Sequence, residues 1–123
     1  MVSLNRVLLA GNLVKDPELK ETSNGRCLTV FPVAVDKHWR SNDGQSHKET
    51  AFFRIIVWNA IAENCVRYLK KGKSVLIEGR LETRTYKNSE GQTQYITQIV
   101  GDQVTFLSKP DKTTAAEDEP AIM

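Results

Sequence analysis

A chain of 123 residues, 40% of them hydrophobic, is sized for one domain with a real apolar core. No apolar run approaches the roughly 20 residues of a membrane-spanning helix, and the opening "MVSLNRVLLAGNL" is too short and interrupted in its apolar part for a secretory signal, which points to the cytoplasm. The net charge is only +2 but uneven: residues 109–123 hold two lysines against four acids, and residues 1–108 hold 15 basic and 11 acidic side chains, a mildly basic body with an acidic tip.

The first predicted strand lies in "SLNRVLLAGN". "KDPE" at 15–18 and "TSNG" at 22–25 read as turns, the first set by Pro17. A strand follows from about Cys27 to Trp39. Pro32 inside it supplies no N–H, which suggests an edge or a bulge there. "RSNDGQSH" at 40–47 is a polar hairpin loop with Asp43-Gly44 at its tip, and the next strand covers 48–58.

The period then changes. In "NAIAENCVRYLKKG" the apolar Ile61, Ala62, Cys65, Val66 and Leu69 recur at helical spacing. Asn59 is placed to cap the start and Gly72 to end the helix, behind Lys70 and Lys71. "KSVLIEGRLETRTY" is again a strand, with Val75, Ile77, Gly79 and Leu81 facing the core. "KNSEGQ" is a hairpin loop, and "TQYITQIV" with "DQVTFL" forms the last strand. From Lys109 onward no core-forming residue appears until Ile122, so 109–123 reads as a disordered acidic tail behind a domain at 1–108. Cys27 and Cys65 form no CxxC or Cys/His cluster, so no zinc site is expected. They read as small half-buried thiols, with their pairing left open.

The order is three strands, one short helix, two strands. This mainly-β order is that of a five-stranded OB-fold, a Greek-key barrel with its helix between strands 3 and 4.

The stretch "TAFFRIIVWN" at 50–59 raises the functional question. With period-2 alternation, Phe53, Ile55 and Val57 face one side, and Phe52, Arg54, Ile56 and Trp58 the other. The first side is core. The second sets two aromatics around an arginine. Trp39 stands beside Lys37 and Arg40, and Tyr86 near Arg80 and Arg84, so Trp39, Phe52, Trp58 and Tyr86 are candidates to line one outer surface with its flanking loops. Unpaired bases stack on such rings at roughly 1–3 kcal/mol each, with basic side chains neutralising the phosphates between them. A strand buried on both faces is also apolar throughout, so core aromatics remain the competing reading. Arg54 leans toward the open surface, because an arginine rarely enters a core unpaired.

These segments resemble the bacterial-type single-stranded DNA-binding protein family, homo-oligomeric OB-fold proteins of replication, recombination and repair. The resemblance covers about residues 3–107 and is carried by "LNRVLLAGNLVKDPEL", "ETAFFRIIVWNAIAENCVRYLKKGKSVLIEGRLETRTY" and "EGQTQYITQIV". It implies that the stacking aromatics are Trp39, Phe52, Trp58 and Tyr86. It implies phosphate contacts at Arg54, Lys71 and Arg84, joined by Arg80, with Lys37 and Arg40 as weaker candidates. It further implies a homotetramer around which single-stranded DNA wraps, an uncovered first-strand edge suiting subunit pairing.

The sequence also departs from the family. Glu82 and Thr85 stand where basic residues are frequent, Ala60 where a lysine is common, and Phe53 where many members carry a histidine near a subunit contact. The family's acidic tip ends in Pro-Phe and docks replication and repair proteins. Here Glu117, Asp118, Glu119 and Pro120 resemble that tip, with Ile122 as the expected anchor. No cofactor or metal is expected. A nuclease is the rival from another class, but the acids of the body are scattered and form no convergent pair for a metal ion. His38 and His47 read as solvated loop residues. A third reading is an OB-fold accessory module binding a replication protein or RNA.

Overall fold

The computed structural model describes residues 1–108, so the acidic tail and its proposed docking tip lie outside the described residues. Strand β1 covers Val7–Leu13, β2 Lys20–Glu21, β3 Cys27–Arg40 and β4 Ser46–Trp58; helix α1 covers Asn59–Tyr68; β5 covers Ser74–Lys87 and β6 Thr93–Phe106. β2 is only a two-residue strand. The five long strands and the helix therefore follow the expected order.

Three chain reversals share one pattern, with a glycine in fourth place: Thr22–Arg26, Ser41–Gln45 and Asn88–Gln92. In each, the first residue's N–H donates to the fifth residue's carbonyl, at 2.8, 2.9 and 3.0 Å respectively. The glycine N–H donates to the first residue's carbonyl at 2.9–3.0 Å. Gly25, Gly44 and Gly91 have φ of 85°, 86° and 80°. This is the three-residue hairpin whose last loop position is left-handed, where glycine carries no Cβ penalty. Short polar side chains complete two of them: Asp43 Oδ1 accepts from the Gln45 N–H at 3.0 Å, and Asn88 Oδ1 from those of Glu90 and Gln92 at 2.9 Å.

The sheet order is β1-β5-β6-β4-β3-β2, and an added β1–β3 pairing closes it. The result is an OB-fold barrel of five long strands. All pairings are antiparallel except β4–β6, which pairs Ile55 with Ile99 and Ile56 with Val100. Alternation sends Phe31, Val33, Ile55, Val57, Val75, Ile77 and Ile99 inward, and α1 closes the core with Ala62 and Cys65. The β5–β6 register shifts at Glu78/Gly79, giving β6 an extra residue at Asp102. That bulge bends the strands and switches the inward parity, so Val104 and Phe106 pack on the core. A Cβ on Gly79 would lie 1.9 Å from the Val100 carbonyl oxygen, so only glycine fits the bend.

Several local expectations are corrected. Asn59 does not cap the helix. Trp58 holds the cap position without a side-chain bond, and Asn59, already the first helical residue, takes φ 55°. Asparagine tolerates that left-handed turn better than most residues. Gly72 lies beyond the helix end: with φ 92° it turns the chain into β5, its N–H bonded to the Leu13 carbonyl at 2.9 Å. The β3–β4 register runs through Pro32 without a bulge. Its carbonyl accepts from Val14 N–H at 3.0 Å, so the side lacking an N–H faces the end of the short β1 pairing. Phe53 and Leu81, assigned to the core by alternation, are exposed, because their strands run past the end of the barrel. Both cysteines are free thiols. Burial pushes the Cys65 thiol up to about 12.

Candidate nucleic-acid interface

The two long hairpins carry the site. Past the barrel, β3 and β4 pair with each other as far as Arg40 and Ser46, and β5 and β6 as far as Lys87 and Thr93. Directly opposed residues share a face, so the register sorts the candidates. Phe52 lies opposite Ala34, Arg54 opposite Pro32 and Trp58 opposite Leu28. Glu82 lies opposite Gln98, Arg84 opposite Ile96 and Tyr86 opposite Gln94.

One polar chain ties these strands into a single outer face. Arg54 Nε donates to Gln98 Oε1 at 3.0 Å, and Gln98 Nε2 donates to Glu82 Oε1 at 2.8 Å. Arg84 Nε lies 3.2 Å from the same Glu82 oxygen. Phe52, Arg54, Trp58, Arg84 and Tyr86 therefore share one face across β4, β6 and β5. Glu82 is the joint that aligns Arg84 with Arg54 through Gln98. Arg80 belongs to the same alternate set, held by Asp102 at 2.9 Å. Exposed ion pairs of this kind are worth about 0–1 kcal/mol, so a phosphate can compete for either guanidinium.

Phe52 is 65% exposed and Tyr86 54%. Both rings are surface rings, whereas Trp58 is half-buried. The Arg26 guanidinium carbon lies 4.3 Å from the Trp58 ring centroid, a cation–π contact of about 0.5–1 kcal/mol where solvent reaches it.

Trp39 is not on this face. The unbroken register sets it opposite His47, in the alternate set with Phe53. It is 43% exposed. His47 stacks on it at 5.2 Å between ring centroids with 17° between planes, and Lys37 Nζ stands 5.6 Å from its centroid. The loop below fixes that stack: His47 Nε2 lies 3.1 Å from Ser41 Oγ, and the Ser41 hydroxyl also donates to Asp43. That bond, followed by the Gln45 N–H, holds the Asp43 carboxyl below its ordinary range. Arg40 ends the same arm, opposite Ser46. Lys71 stands apart from both faces, in the turn after α1, where its backbone N–H donates to Asp16 Oδ1 at 2.7 Å.

Sequence reasoning missed three residues. Tyr95, opposite Thr85, is 72% exposed and gives the β5–β6 arm a ring on its other face. Its signal was the same period-2 count that found Tyr86. Arg26 could have been found by continuing the alternate set of Leu28 back to the last residue of the turn. The His47–Trp39 stack needed the hairpin register. Among the described residues no group of three or more His, Cys, Asp or Glu could hold a metal ion, and no helix is long and apolar enough to cross a membrane.

The model of the single-strand binding protein family matches residues 4–107. A single-stranded DNA-binding protein of Clostridium tetani is 43% identical over 110 residues, 89% of this chain and 74% of that protein. Single-stranded DNA-binding protein A of Bacillus subtilis is 40% identical over 104 residues, 85% of this chain. The chain spans 59% of that relative's length and 63% of a similar Oceanobacillus iheyensis protein. Among solved structures, the Plasmodium falciparum SSB in complex with ssDNA superposes with a TM-score of 0.78 at 30% identity, covering 88% of this chain and 98% of that one.

Proposed function

The chain belongs to the single-strand binding protein family, and from that premise we propose that it binds single-stranded DNA without regard to sequence, as a binder and protector rather than a catalyst. The observation that carries this reading is the outer face where Phe52, Arg54 and Trp58 of β4 meet Arg84 and Tyr86 of β5, joined through Gln98 of β6. Aromatic rings stack on any base, and the guanidiniums meet the phosphates between them. A duplex hides its base faces and gains only the charge term.

We assign stacking to Trp39, Phe52, Trp58 and Tyr86, and phosphate contacts to Arg54, Lys71, Arg80 and Arg84, with Lys37 and Arg40 at the arm. Because Trp39 lies on the other side of the β3–β4 ribbon, the bound strand passes around that arm. The first-strand edge is proposed to pair subunits toward a homotetramer. Glu117, Asp118, Glu119, Pro120 and Ile122 are proposed as a docking tip for replication and repair proteins, in a cytoplasmic, nucleoid-associated setting.

The test is tryptophan emission during titration with oligo-dT, with duplex DNA as control. Quenching by dT that persists in salt high enough to release duplex is expected. An equal response to duplex would reduce the interaction to charge alone. Phe52→Ala should weaken dT binding by about 1–3 kcal/mol without lowering the melting temperature, since the ring is mostly in solvent.

A further inference from the structure

We infer that Arg26 is a displaceable cover on Trp58: a base takes its place on the indole, and the released guanidinium passes to a phosphate of the same DNA strand. This deepens the single-stranded DNA reading above and rests on it.

The turn before β3 places the side chain. The Thr22 N–H donates to the Arg26 carbonyl at 2.8 Å, and the Arg26 N–H donates to Thr22 Oγ1 at 3.2 Å. Both backbone polar groups of Arg26 are thus held by Thr22. Its side chain follows the alternate set of Leu28, the residue opposite Trp58, and its guanidinium carbon reaches 4.3 Å from the ring centroid.

The charge on that side chain is otherwise unanswered. Arg6, Arg80 and Arg84 each rest on a carboxylate, Glu78, Asp102 and Glu82 respectively, whereas Arg26 has no ion pair among the described residues. A cation over a solvent-accessible ring is held weakly. A base offers the indole a larger stacked surface, and a phosphate offers the guanidinium a paired, charge-assisted contact. Exchange improves both partners. Among the described residues Phe52 and Tyr86 carry no such cation over their rings, and Lys37 stands farther from Trp39, at 5.6 Å, so Trp58 has the closest cover of the four assigned rings.

The chain has two tryptophans, so Trp39→Phe leaves Trp58 as the sole indole reporter. In that variant, binding of labelled oligo-dT followed by anisotropy should be accompanied by a change in Trp58 emission. In the otherwise unmodified chain, Arg26→Ala should lower the slope of log affinity against log salt by about 0.7, the share of one phosphate on a single strand, while Arg26→Lys should retain it. Arg26→Ala should also alter Trp58 emission in the DNA-free Trp39→Phe protein. Oligo-dT binding with Trp58 emission unmoved, or an Arg26→Ala slope equal to that of the unmodified chain, would overturn the inference and leave single-stranded DNA binding intact. Failure of the unmodified chain to bind oligo-dT would instead remove the reading on which both stand.

Discussion

Thr29 sits fully buried in the barrel, opposite Val57, and its hydroxyl has no hydrogen-bond partner among the described residues. An unsatisfied buried hydroxyl costs about 1–3 kcal/mol. Valine has nearly the same shape and leaves nothing unpaired, so Thr29→Val should raise the urea midpoint by a comparable free energy with an unchanged slope. Cys65 offers a second test at this scale. Its thiol, raised by burial to about 12, stays protonated in the folded chain where an unfolded thiol ionises, near pH 8.5. The folded state then holds the extra proton, so stability should fall as pH rises from about 9 toward 12. Cys65→Ala should make that alkaline loss shallower. Near neutral pH, Cys65 should resist alkylation until the chain unfolds, because the thiolate is the reactive form.

The bulged β5–β6 pair shows why particular elements need particular residues. Gly79 faces Gly101 at the register shift, and a Cβ at Gly79 would meet backbone, with Val100 O at 1.9 Å and Val100 C at 2.9 Å. Backbone cannot swing aside as a side-chain end can. Gly79→Ala should therefore cost about 1–3 kcal/mol by overpacking, measured as a lower melting temperature. Gly91→Asn, at an open loop tip with φ 80° and nothing within 4 Å, should cost far less, since asparagine tolerates the left-handed region. These devices also aim the site. The three glycine-closed reversals fix register, and register decides which ring shares a face with which arginine.

In the molecule as a whole, the proposed subunit pairing rests on the edge of β1. On one edge β1 pairs with β5 from Val7 to Asn12; on the other it meets β3 only at Asn12 and Leu13. The backbone of Val7–Ala10 is thus unpaired on that side, and Leu8 is exposed beside it. Such an edge invites another strand, and the same edge of a second copy gives a closed twofold pair. Leu8→Glu sets like charges close together across that pairing, so light scattering should show a lower mass for the variant. An unchanged mass would move the subunit contact elsewhere.

By itself the sequence determined the order of the long strands, the helix and the glycine turns, and it offered Phe52 and Tyr86 as candidate surface rings, whose exposure the structure then decided. These follow from period, glycine position and side-chain type, which are local properties of the chain. It also pointed to the family, through long segments whose combination is specific. Only the tertiary structure decided how the candidates meet. Trp39 shares its alternate set with Phe53, and one residue of parity, counted through an unbroken β3–β4 register, takes it off the Phe52 face. Phe53 and Leu81 alternate like core residues yet stand in solvent, because alternation states a face but not how far the barrel extends behind it. Glu82 looked like a lost positive charge; cross-strand geometry makes it the joint between Arg54 and Arg84. Arg26 reaches Trp58 from a turn 32 positions earlier in the chain, a contact that arises only when the hairpin closes.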